Sequence, residues 1–256
     1  MESRPYRSIL ITGASSGIGA AVAHELAAPG VLIAITGRDS ARLNTVETAL
    51  QEKGADTISR VCDVTDRAAM STLVADIEVR QPLDLIIANA GISSSAGAAA
   101  GEEETTRDIF AVNLAGVLNT VLPALTAMRP RHMGHVAIVS SIAGFRGMPS
   151  APAYSASKVA LKAWGDAIRP QLERDGITLS MIYPGFVESR ITDANDFPMP
   201  FLMPAEKAAG IIVQGLKRGK KTIAFPWQTV WMTRLLCTLP GPIFNAILAR
   251  APKKKI

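Results

Sequence analysis

Acidic residues are absent from the last fifth of this 256-residue chain. All 22 acidic residues lie at or before Glu206, whereas ten of the 27 lysines and arginines follow it. The body of the chain is therefore mildly acidic and its end is strongly basic. A surface that reads nucleic acid spreads its positive charge over a folded domain rather than dividing it along the sequence in this way. The charge pattern therefore argues against a nucleic-acid partner.

Cysteine and histidine are also scarce. The two cysteines, Cys62 and Cys237, give no disulfide framework and lack the spacing of metal ligands. The three histidines are not placed like zinc ligands, so the sequence predicts no metal site. Residues 1–10 contain no long apolar run after their basic residues, which a signal peptide would need. These features predict a reduced, cytoplasmic protein.

Short apolar runs alternate with helix-like segments along the chain. Seven runs have the length of a strand: 8–12, 31–36, 57–62, 83–88, 135–140, 178–183 and 221–226. Most are too continuously apolar for a sheet with one face in water. The helix-like segments are 18–28, 40–53, 66–80, 104–130, 154–174 and 205–216, with Ser40 and Thr65 as predicted N-caps. The alternation predicts one α/β domain over residues 1–226, a three-layer doubly wound parallel sheet with helices on both faces and its ligand at the carboxyl ends of the strands.

The stretch "YSASK" places Tyr154 and Lys158 four residues apart with only small residues between them. Residues at this spacing share one face of a helix. A cation beside a phenol favours the phenolate, so we expect Lys158 to lower the pKa of Tyr154 from about 10. A tyrosine of this kind can act as a general acid and base. For the pentapeptide alone, an ordinary exposed helix start is the alternative.

The stretch "TGASSGIG" at 12–19 follows the first predicted strand and opens the first predicted helix. Gly13, Gly17 and Gly19 let the backbone approach a pyrophosphate closely, and the helix N-terminus offers free N–H groups and the positive end of its dipole. A glycine-rich turn alone is weak evidence for a nucleotide. Its place between strand and helix strengthens the prediction of a nucleotide-phosphate site.

Further motifs follow the later strands: "CDV" at 62–64, "ANAG" at 88–91, "SS" at 140–141 and "YPG" at 183–185. Ser141 precedes Tyr154 by thirteen residues, and Asn113 lies inside the fourth helix-like segment. This constellation resembles the single-domain branch of the short-chain dehydrogenase/reductase family over roughly residues 7–225. The resemblance implies a Rossmann-type fold and an oxidoreductase that interconverts a carbonyl and an alcohol by hydride transfer with a nicotinamide cofactor.

The resemblance also implies a role for individual residues. Tyr154 would exchange a proton with the substrate oxygen, Ser141 would hydrogen-bond that oxygen, and Lys158 would depress the Tyr154 pKa and hold the nicotinamide ribose. Asn113 would complete the catalytic tetrad by holding a water that links Lys158 to solvent; the alternative is a buried side chain that satisfies backbone groups in a bent helix. The implied cofactor contacts, besides Tyr154 and Lys158, are Gly13, Ser15, Ser16, Gly17, Ile18 and Gly19 at the phosphates, Asp63 and Val64 at adenine, Asn89, Ala90 and Gly91 near the ribose, Pro184, Gly185 and Val187 at the nicotinamide, and Ser189, where the family usually has threonine, at the carboxamide.

The choice of cofactor depends on the end of the second strand, "ITGRD" at 35–39. A carboxylate there binds the adenosine ribose hydroxyls and repels a 2′-phosphate. Thr36 and Gly37 provide no acid, and Arg38 can fork onto a 2′-phosphate. The sequence predicts NADP(H), with NAD as the alternative if Arg38 is only a solvated charge.

The predicted substrate lid covers about residues 188–206 and carries Phe, Met and Leu side chains between prolines. Such a soft apolar surface indicates a lipophilic carbonyl or alcohol substrate; a lid that packs only on its own protein is the alternative. A 3-oxoacyl-thioester reductase of fatty-acid metabolism would share every motif. A non-catalytic NADP(H) sensor is the other alternative, although sensors tend to lack the Tyr–Lys pair. The family resemblance implies a homodimer or homotetramer.

The extension 227–256 combines two tryptophans, many aliphatic residues and basic groups. Arg234 and the break "PGP" at 240–242 leave no apolar run of the roughly 20 residues that a spanning helix needs. The pattern suits a segment lying in the interface of an anionic membrane. Packing on the body of the protein or on a second subunit is the alternative.

Overall fold

The structure, a computed structural model, describes residues 6–93, 101–193, 195 and 197–249 of the chain. Its centre is a seven-stranded parallel sheet with the order β3-β2-β1-β4-β5-β6-β7. The strands are β1 Ser8–Ile11, β2 Leu32–Gly37, β3 Asp56–Val61, β4 Leu85–Ala88, β5 Gly134–Val139, β6 Ile177–Pro184 and β7 Thr222–Phe225. The prediction of a doubly wound parallel sheet is confirmed.

Ten α-helices lie among the described residues. They are α1 Gly17–Leu26, α2 Ser40–Glu52, α3 Arg67–Arg80, α4 Gly101–Phe110, α5 Gly116–Met128, α6 Pro152–Arg174, α7 Arg190–Asp193, α8 Ala205–Lys217, α9 Trp227–Thr238 and α10 Gly241–Ala249. Both predicted N-caps were wrong by one residue. The side chain of Asp39 rather than Ser40 accepts the N–H that begins α2, and Asp66 rather than Thr65 does so for α3.

Each face of the sheet has its own apolar core, because alternate residues of a strand point to opposite faces. Leu10, for example, packs into the cluster under α3, α5 and α6, whereas Ile9 and Ile11 pack into the cluster under α1, α2 and α8. Strands β1 and β4, whose side chains are buried along their whole length, are covered on both faces. This burial explains their continuously apolar sequences.

The chain order reverses between β1 and β4, which are neighbours in the sheet. The loops that follow these two strands therefore diverge to opposite faces and leave a crevice at the carboxyl ends. Most of the predicted site motifs follow strand ends at this edge of the sheet. The topology thus brings together segments that are more than a hundred residues apart in sequence.

The predicted helix 104–130 is divided by a single π-helical turn, Ala111–Ala115, between α4 and α5. The whole helical stretch Gly101–Arg131 is 31 residues long and would satisfy the length and apolar composition of a membrane span. This is weak evidence, because α5 buries its apolar side against α3 and the sheet, as a core helix does.

Candidate active site

The glycine-rich turn between β1 and α1 forms a cradle that no larger residue could line. Gly13 has a φ of +65°, and a Cβ on it would lie 2.7 Å from the Cα of Ala90. A Cβ on Gly19 would lie 2.5 Å from both the carbonyl oxygen of Gly13 and Nδ2 of Asn89. The Asn89 amide group donates to the carbonyl oxygens of Thr12 and Gly13 at 3.0 and 3.1 Å. Asn89 therefore ties the ends of β1 and β4 together beneath the turn.

A cavity of about 450 Å³ opens above this cradle, within the size range of small-molecule sites. Every implied cofactor contact except Gly19 lines it, and so do three of the four implied catalytic residues, Ser141, Tyr154 and Lys158. The exceptions are Gly19, which packs against Gly13 and Asn89 on the side of the turn away from the cavity, and Asn113. Spacing and family resemblance therefore located most of the cavity wall.

Several residues of the wall were not singled out as cofactor contacts. They are Thr36, Gly37, Asp39, Cys62, Ile92, Val112, Val139, Ser140, Arg190, Ile191 and Thr192. Most are sequence neighbours of predicted contacts, so the positions of the strand ends could have identified them. Ile191 and Thr192 carry no such signal, and Arg190 carries it only as the neighbour of Ser189, because the approach of all three depends on how the lid folds back over the glycine turn. A Cβ on Gly17 would lie 3.1 Å from the Cβ of Ser189, which places this segment directly beside the turn.

The end of the cavity at β2 is rich in charge. Arg38 is exposed, and its Nη1 lies 3.8 Å from Oδ2 of Asp63. Asp39 accepts hydrogen bonds from the Arg42 backbone N–H at 3.1 Å and contacts the Arg42 guanidinium at 2.7 Å. That backbone hydrogen bond, together with the nearby charges of Arg42 and Arg190, lowers the pKa of Asp39. Asp39 thus stays an ionised carboxylate whose charge is balanced by Arg42, and Arg38 and Arg190 are further cations that line the cavity.

The chemistry of this wall fits a nicotinamide dinucleotide. The glycine cradle offers backbone N–H groups at a helix N-terminus, and two arginines provide positive charge for phosphate. The buried Thr36 hydroxyl has no hydrogen-bond partner among the described residues, although it lines the cavity. Buried polar groups are nearly always paired, so at this hydroxyl the chain alone leaves hydrogen-bonding capacity unused beside the cavity.

Ser141 and Tyr154 meet at the opposite end of the cavity. Ser141 follows β5, where its Oγ accepts the Ala143 N–H at 3.1 Å and donates to the Pro184 carbonyl at 3.5 Å. Burial raises the pKa of Tyr154, while a hydrogen bond with the Ser141 side chain acts in the opposite direction. Two hydroxyl groups therefore lie together beside the cavity, where a carbonyl oxygen could contact both.

Lys158 lies one helical turn after Tyr154 on α6 and is almost completely buried. Its Nζ donates to the Val139 carbonyl at 3.0 Å and lies 5.7 Å from the centre of the Tyr154 ring. Burial lowers the pKa of Lys158 to about 8. The predicted depression of the Tyr154 pKa was therefore wrong in direction for this arrangement, because burial dominates both groups and the ammonium is held by a backbone carbonyl.

Asn113 sits in the π-helical turn and is fully buried. Its Oδ1 accepts the Ile92 N–H at 2.8 Å, and its Nδ2 donates to the Ile92 carbonyl at 2.9 Å and to Ser157 Oγ at 3.1 Å. Ser157 in turn donates to the Tyr154 carbonyl at 2.7 Å. The side chain is thus occupied by the protein, as in the structural alternative. It fixes the loop after β4 against the helix that carries Tyr154 and does not reach the cavity.

The base of the lid is closed by a short bridge between Val187 and Met203. The Glu188 N–H donates to the Met203 carbonyl at 2.9 Å, and the Met203 N–H donates to the Phe186 carbonyl at 3.1 Å. Phe201 and Leu202 are exposed large apolar residues on the described part of the lid, which excludes 194 and 196. The lid is therefore a loop whose two ends are fixed to the end of β6.

Comparison with known proteins gives the same class as the fold and the site. The family described as short chain dehydrogenase matches residues 7–197. An uncharacterized oxidoreductase of Myxococcus xanthus is 38% identical over 98% of this chain and 99% of its own length. The 3-oxoacyl-[acyl-carrier-protein] reductase MabA of Mycobacterium avium is 30% identical over 74% of this chain and 71% of its own length.

Solved structures share the fold at lower identity. A short-chain dehydrogenase from Sphingobium yanoikuyae in complex with NADPH has a TM-score of 0.77 at 22% identity, covering 91% of this chain and 96% of its own. A short-chain dehydrogenase/reductase from Burkholderia phymatum in complex with NAD has a TM-score of 0.82 at 22% identity, covering 100% and 99%. The chain belongs to the short-chain dehydrogenase/reductase family. It is an oxidoreductase of this family, and NADPH-bound and NAD-bound relatives support a nicotinamide cofactor for it.

Proposed function

We propose that this enzyme uses NADPH to reduce the carbonyl group of a lipophilic substrate to an alcohol. The observation that carries the proposal is the placement of Ser141, Tyr154 and Lys158 on one wall of the cavity whose other end holds the glycine cradle and Arg38. When bound, the cofactor supplies the hydride. The chain has to orient the substrate oxygen, donate a proton and shield the reaction.

The proton donor in this proposal is Tyr154. Burial raises its pKa, so the phenol is protonated at neutral pH, as a general acid must be before reduction. The Ser141 hydroxyl would turn its one hydrogen from the Pro184 carbonyl, 3.5 Å away, to the same substrate oxygen and would stabilise the charge that develops there. Both groups are held before substrate arrives, Ser141 by Ala143 and Pro184 and Tyr154 by its helix.

Lys158 would return the proton to Tyr154 after the reaction. Its pKa of about 8 leaves it mostly protonated at neutral pH but able to release a proton at small cost. A tyrosinate formed next to it would be stabilised by the positive charge, and proton transfer would restore the phenol. Asn113 contributes as a positioning residue, because it fixes the segment at Ile92 and, through Ser157, the backbone at Tyr154.

The NADP(H) preference is supported by the β2 end of the cavity. Arg38 faces the cavity, and no acid stands at Thr36 or Gly37. Of the two acids nearby, Asp39 is paired with Arg42, and Asp63 lies 3.8 Å from Arg38 and accepts hydrogen bonds from Thr65. A guanidinium binds a phosphate by two parallel hydrogen bonds and therefore suits the adenosine 2′-phosphate. Binding of NAD(H) at the same site is the alternative.

The lipophilic substrate is supported by the lid, which presents Phe201 and Leu202 at its surface and packs Phe197 edge to face against Phe186, with 6.1 Å between the ring centres. A 3-oxoacyl thioester is the second candidate, favoured by the similarity to MabA. Acyl-carrier thioesters and free hydrophobic ketones, compared as substrates with NADPH, would separate the two. We further propose a cytoplasmic homodimer or homotetramer, as the family resemblance implies; light scattering in solution tests the assembly.

The test of the mechanism is Tyr154→Phe, which keeps the ring and removes the hydroxyl. With a carbonyl panel and NADPH, kcat should fall by about two orders of magnitude or more, the usual contribution of general acid catalysis. NADPH binding, followed by fluorescence, should persist. Tyr183→Phe is the matched control, because Tyr183 is also buried yet does not line the cavity. Near-normal turnover of Tyr154→Phe with a substrate that the unmodified enzyme reduces would refute the mechanism.

A further inference from the structure

Helix α9 exposes apolar side chains to solvent and buries polar ones, which is the opposite of an ordinary surface helix. Trp227, Trp231 and Leu235 follow one another at intervals of four residues and are 69%, 67% and 69% exposed. The side that packs on the protein carries Thr229, Val230 and Thr233, two of which are polar. A helix that only covers the core of its own protein presents apolar residues inward and polar residues outward. The outward face of α9 is therefore suited to contact something else.

Helix α10, which follows α9 after a short turn, also exposes apolar side chains. Ile243 and Ile247 are four residues apart and are 50% and 43% exposed. We call the exposed apolar residues of the two helices the C-terminal apolar face; they are Trp227, Trp231, Met232, Leu235, Ile243 and Ile247.

Arg146 anchors the two helices to the body of the enzyme. Its Nη1 donates to the carbonyl oxygens of Cys237 and Leu239 at 3.1 and 2.8 Å, and its guanidinium lies 4.0 Å from the centre of the buried Phe244 ring. The turn between α9 and α10 is thus tied to the segment that follows Ser141. The apolar face is presented on helices fixed in place rather than on a loose tail.

The face borders the catalytic end of the sheet. Helix α9 starts directly after β7, and a Cβ on Gly185 of the cavity wall would lie 3.0 Å from Cδ of Pro226 and 3.1 Å from Oγ1 of Thr229. The Arg234 guanidinium lies 5.6 Å from the centre of the Phe145 ring, four residues after Ser141. A surface bound by α9 would therefore lie close to the cavity.

Charge selects among the possible occupants of the face. Residues 227–256 contain no acidic residue and five basic ones: Arg234, Arg250, Lys253, Lys254 and Lys255. A two-fold contact with a second copy would bring the same basic segments together, because such an interface pairs each patch with itself. An anionic lipid surface is complementary to the charge, and tryptophan favours the boundary between headgroups and acyl chains.

We infer that the C-terminal apolar face docks the enzyme on an anionic lipid bilayer, with α9 in the interface plane. Its use would be access to a lipophilic substrate dissolved in that bilayer, and this use rests on the proposed function. The docking itself rests on the exposed residues and the charge of the segment.

Flotation with lipid vesicles tests the inference on the full chain. The unmodified protein should float with phosphatidylcholine vesicles that contain phosphatidylserine at low salt, bind weakly to phosphatidylcholine alone, and dissociate at high salt. The double variant Trp231→Ser, Leu235→Ser should lose about tenfold or more of its partitioning, since two apolar anchors are removed. Val79→Ser, which removes a 90% exposed apolar side chain from α3, should bind as the unmodified protein does.

Three results would overturn the inference. They are failure to float with anionic vesicles at low salt, equal binding to both kinds of vesicle, and a soluble dimer that the double variant dissociates while vesicles are not bound. Reduction of a water-soluble ketone is measured on the same samples. If the unmodified protein does not float while its turnover is intact, only the docking is refuted, whereas flotation of the unmodified protein without turnover counts against the proposed function and leaves the docking standing.

Discussion

If Arg38 binds the 2′-phosphate as proposed, replacing it by alanine should leave the enzyme with only a weak preference for NADPH over NADH. A hydrogen bond to a charged group contributes about 1.5–3 kcal/mol, which corresponds to about ten- to a hundred-fold in affinity. The Arg38 side chain is 64% exposed, so solvent screens its charge. We therefore expect the lower end, an approximately tenfold loss in kcat/KM for NADPH. Arg38→Lys should lose less, since it keeps the charge without the planar fork.

NADH should be nearly unaffected by the same change. The Arg38 guanidinium touches the protein only weakly, at 3.8 Å from Asp63. Asp63 keeps two other partners, the N–H and hydroxyl of Thr65 at 2.9 and 2.8 Å. The wall implied to hold adenine therefore remains in place without Arg38.

Steady-state kinetics with both cofactors at two salt concentrations measures the effect. Arg60→Ala is the control, because Arg60 lies on neighbouring β3, pairs with Asp76 at 2.8 Å and does not line the cavity. An equal loss for NADPH and NADH in Arg38→Ala, or the same loss in Arg60→Ala, would refute the assignment of Arg38 to the 2′-phosphate.

Two further predictions concern His135 and Arg190. Burial lowers the pKa of His135 from 6.5 to about 4, so between pH 6.5 and pH 4 the unfolded chain binds more protons than the folded one. The free energy of unfolding should therefore fall by about 3 kcal/mol from pH 7 to below pH 4. The variant His135→Gln, compared with the unmodified protein by urea denaturation at each pH, should lack this component. A pH dependence unchanged by that variant would exclude His135 as its source. Arg190→Gln should weaken NADPH and NADH binding by a similar factor of a few-fold, since its neighbour Ser189 lies beside the glycine turn; a loss confined to NADPH would contradict this position.

The sheet was predictable because parallel strands covered on both faces must be apolar along their length. The runs at 8–12 and 83–88 contain β1 and β4, and both strands are completely buried. The sequence predicted a doubly wound parallel sheet but no strand order, which the structure supplies. The caps of α2 and α3 were less predictable. Aspartate and its neighbouring serine or threonine are equally good caps in sequence, and only the backbone geometry selects between them.

The π-helical turn around Asn113 had no sequence signal. Residues 104–130 read as one continuous helix, and the extra residue in the turn is accommodated because Asn113 bonds to Ile92 and Ser157 on other elements. These partners lie 21 and 44 residues away in sequence. π-helical turns are frequent at functional sites. Here the turn aims a buried amide at the backbone that supports the cavity, which no local pattern could indicate.

For Tyr154 and Lys158, the sequence spacing determines that the two side chains lie on one helix face but does not determine the direction in which their pKa values shift. Spacing predicts that the two side chains share a face of α6, and the ammonium does lie 5.7 Å from the ring centre. The sign of the pKa shift depends instead on burial and on the Val139 carbonyl, which belongs to another strand. Because burial raises the pKa of Tyr154 and lowers that of Lys158, the chain by itself holds a neutral phenol beside a lysine that releases protons readily. That combination suits proton donation to a carbonyl oxygen, and it is a property of the folded site rather than of the pentapeptide.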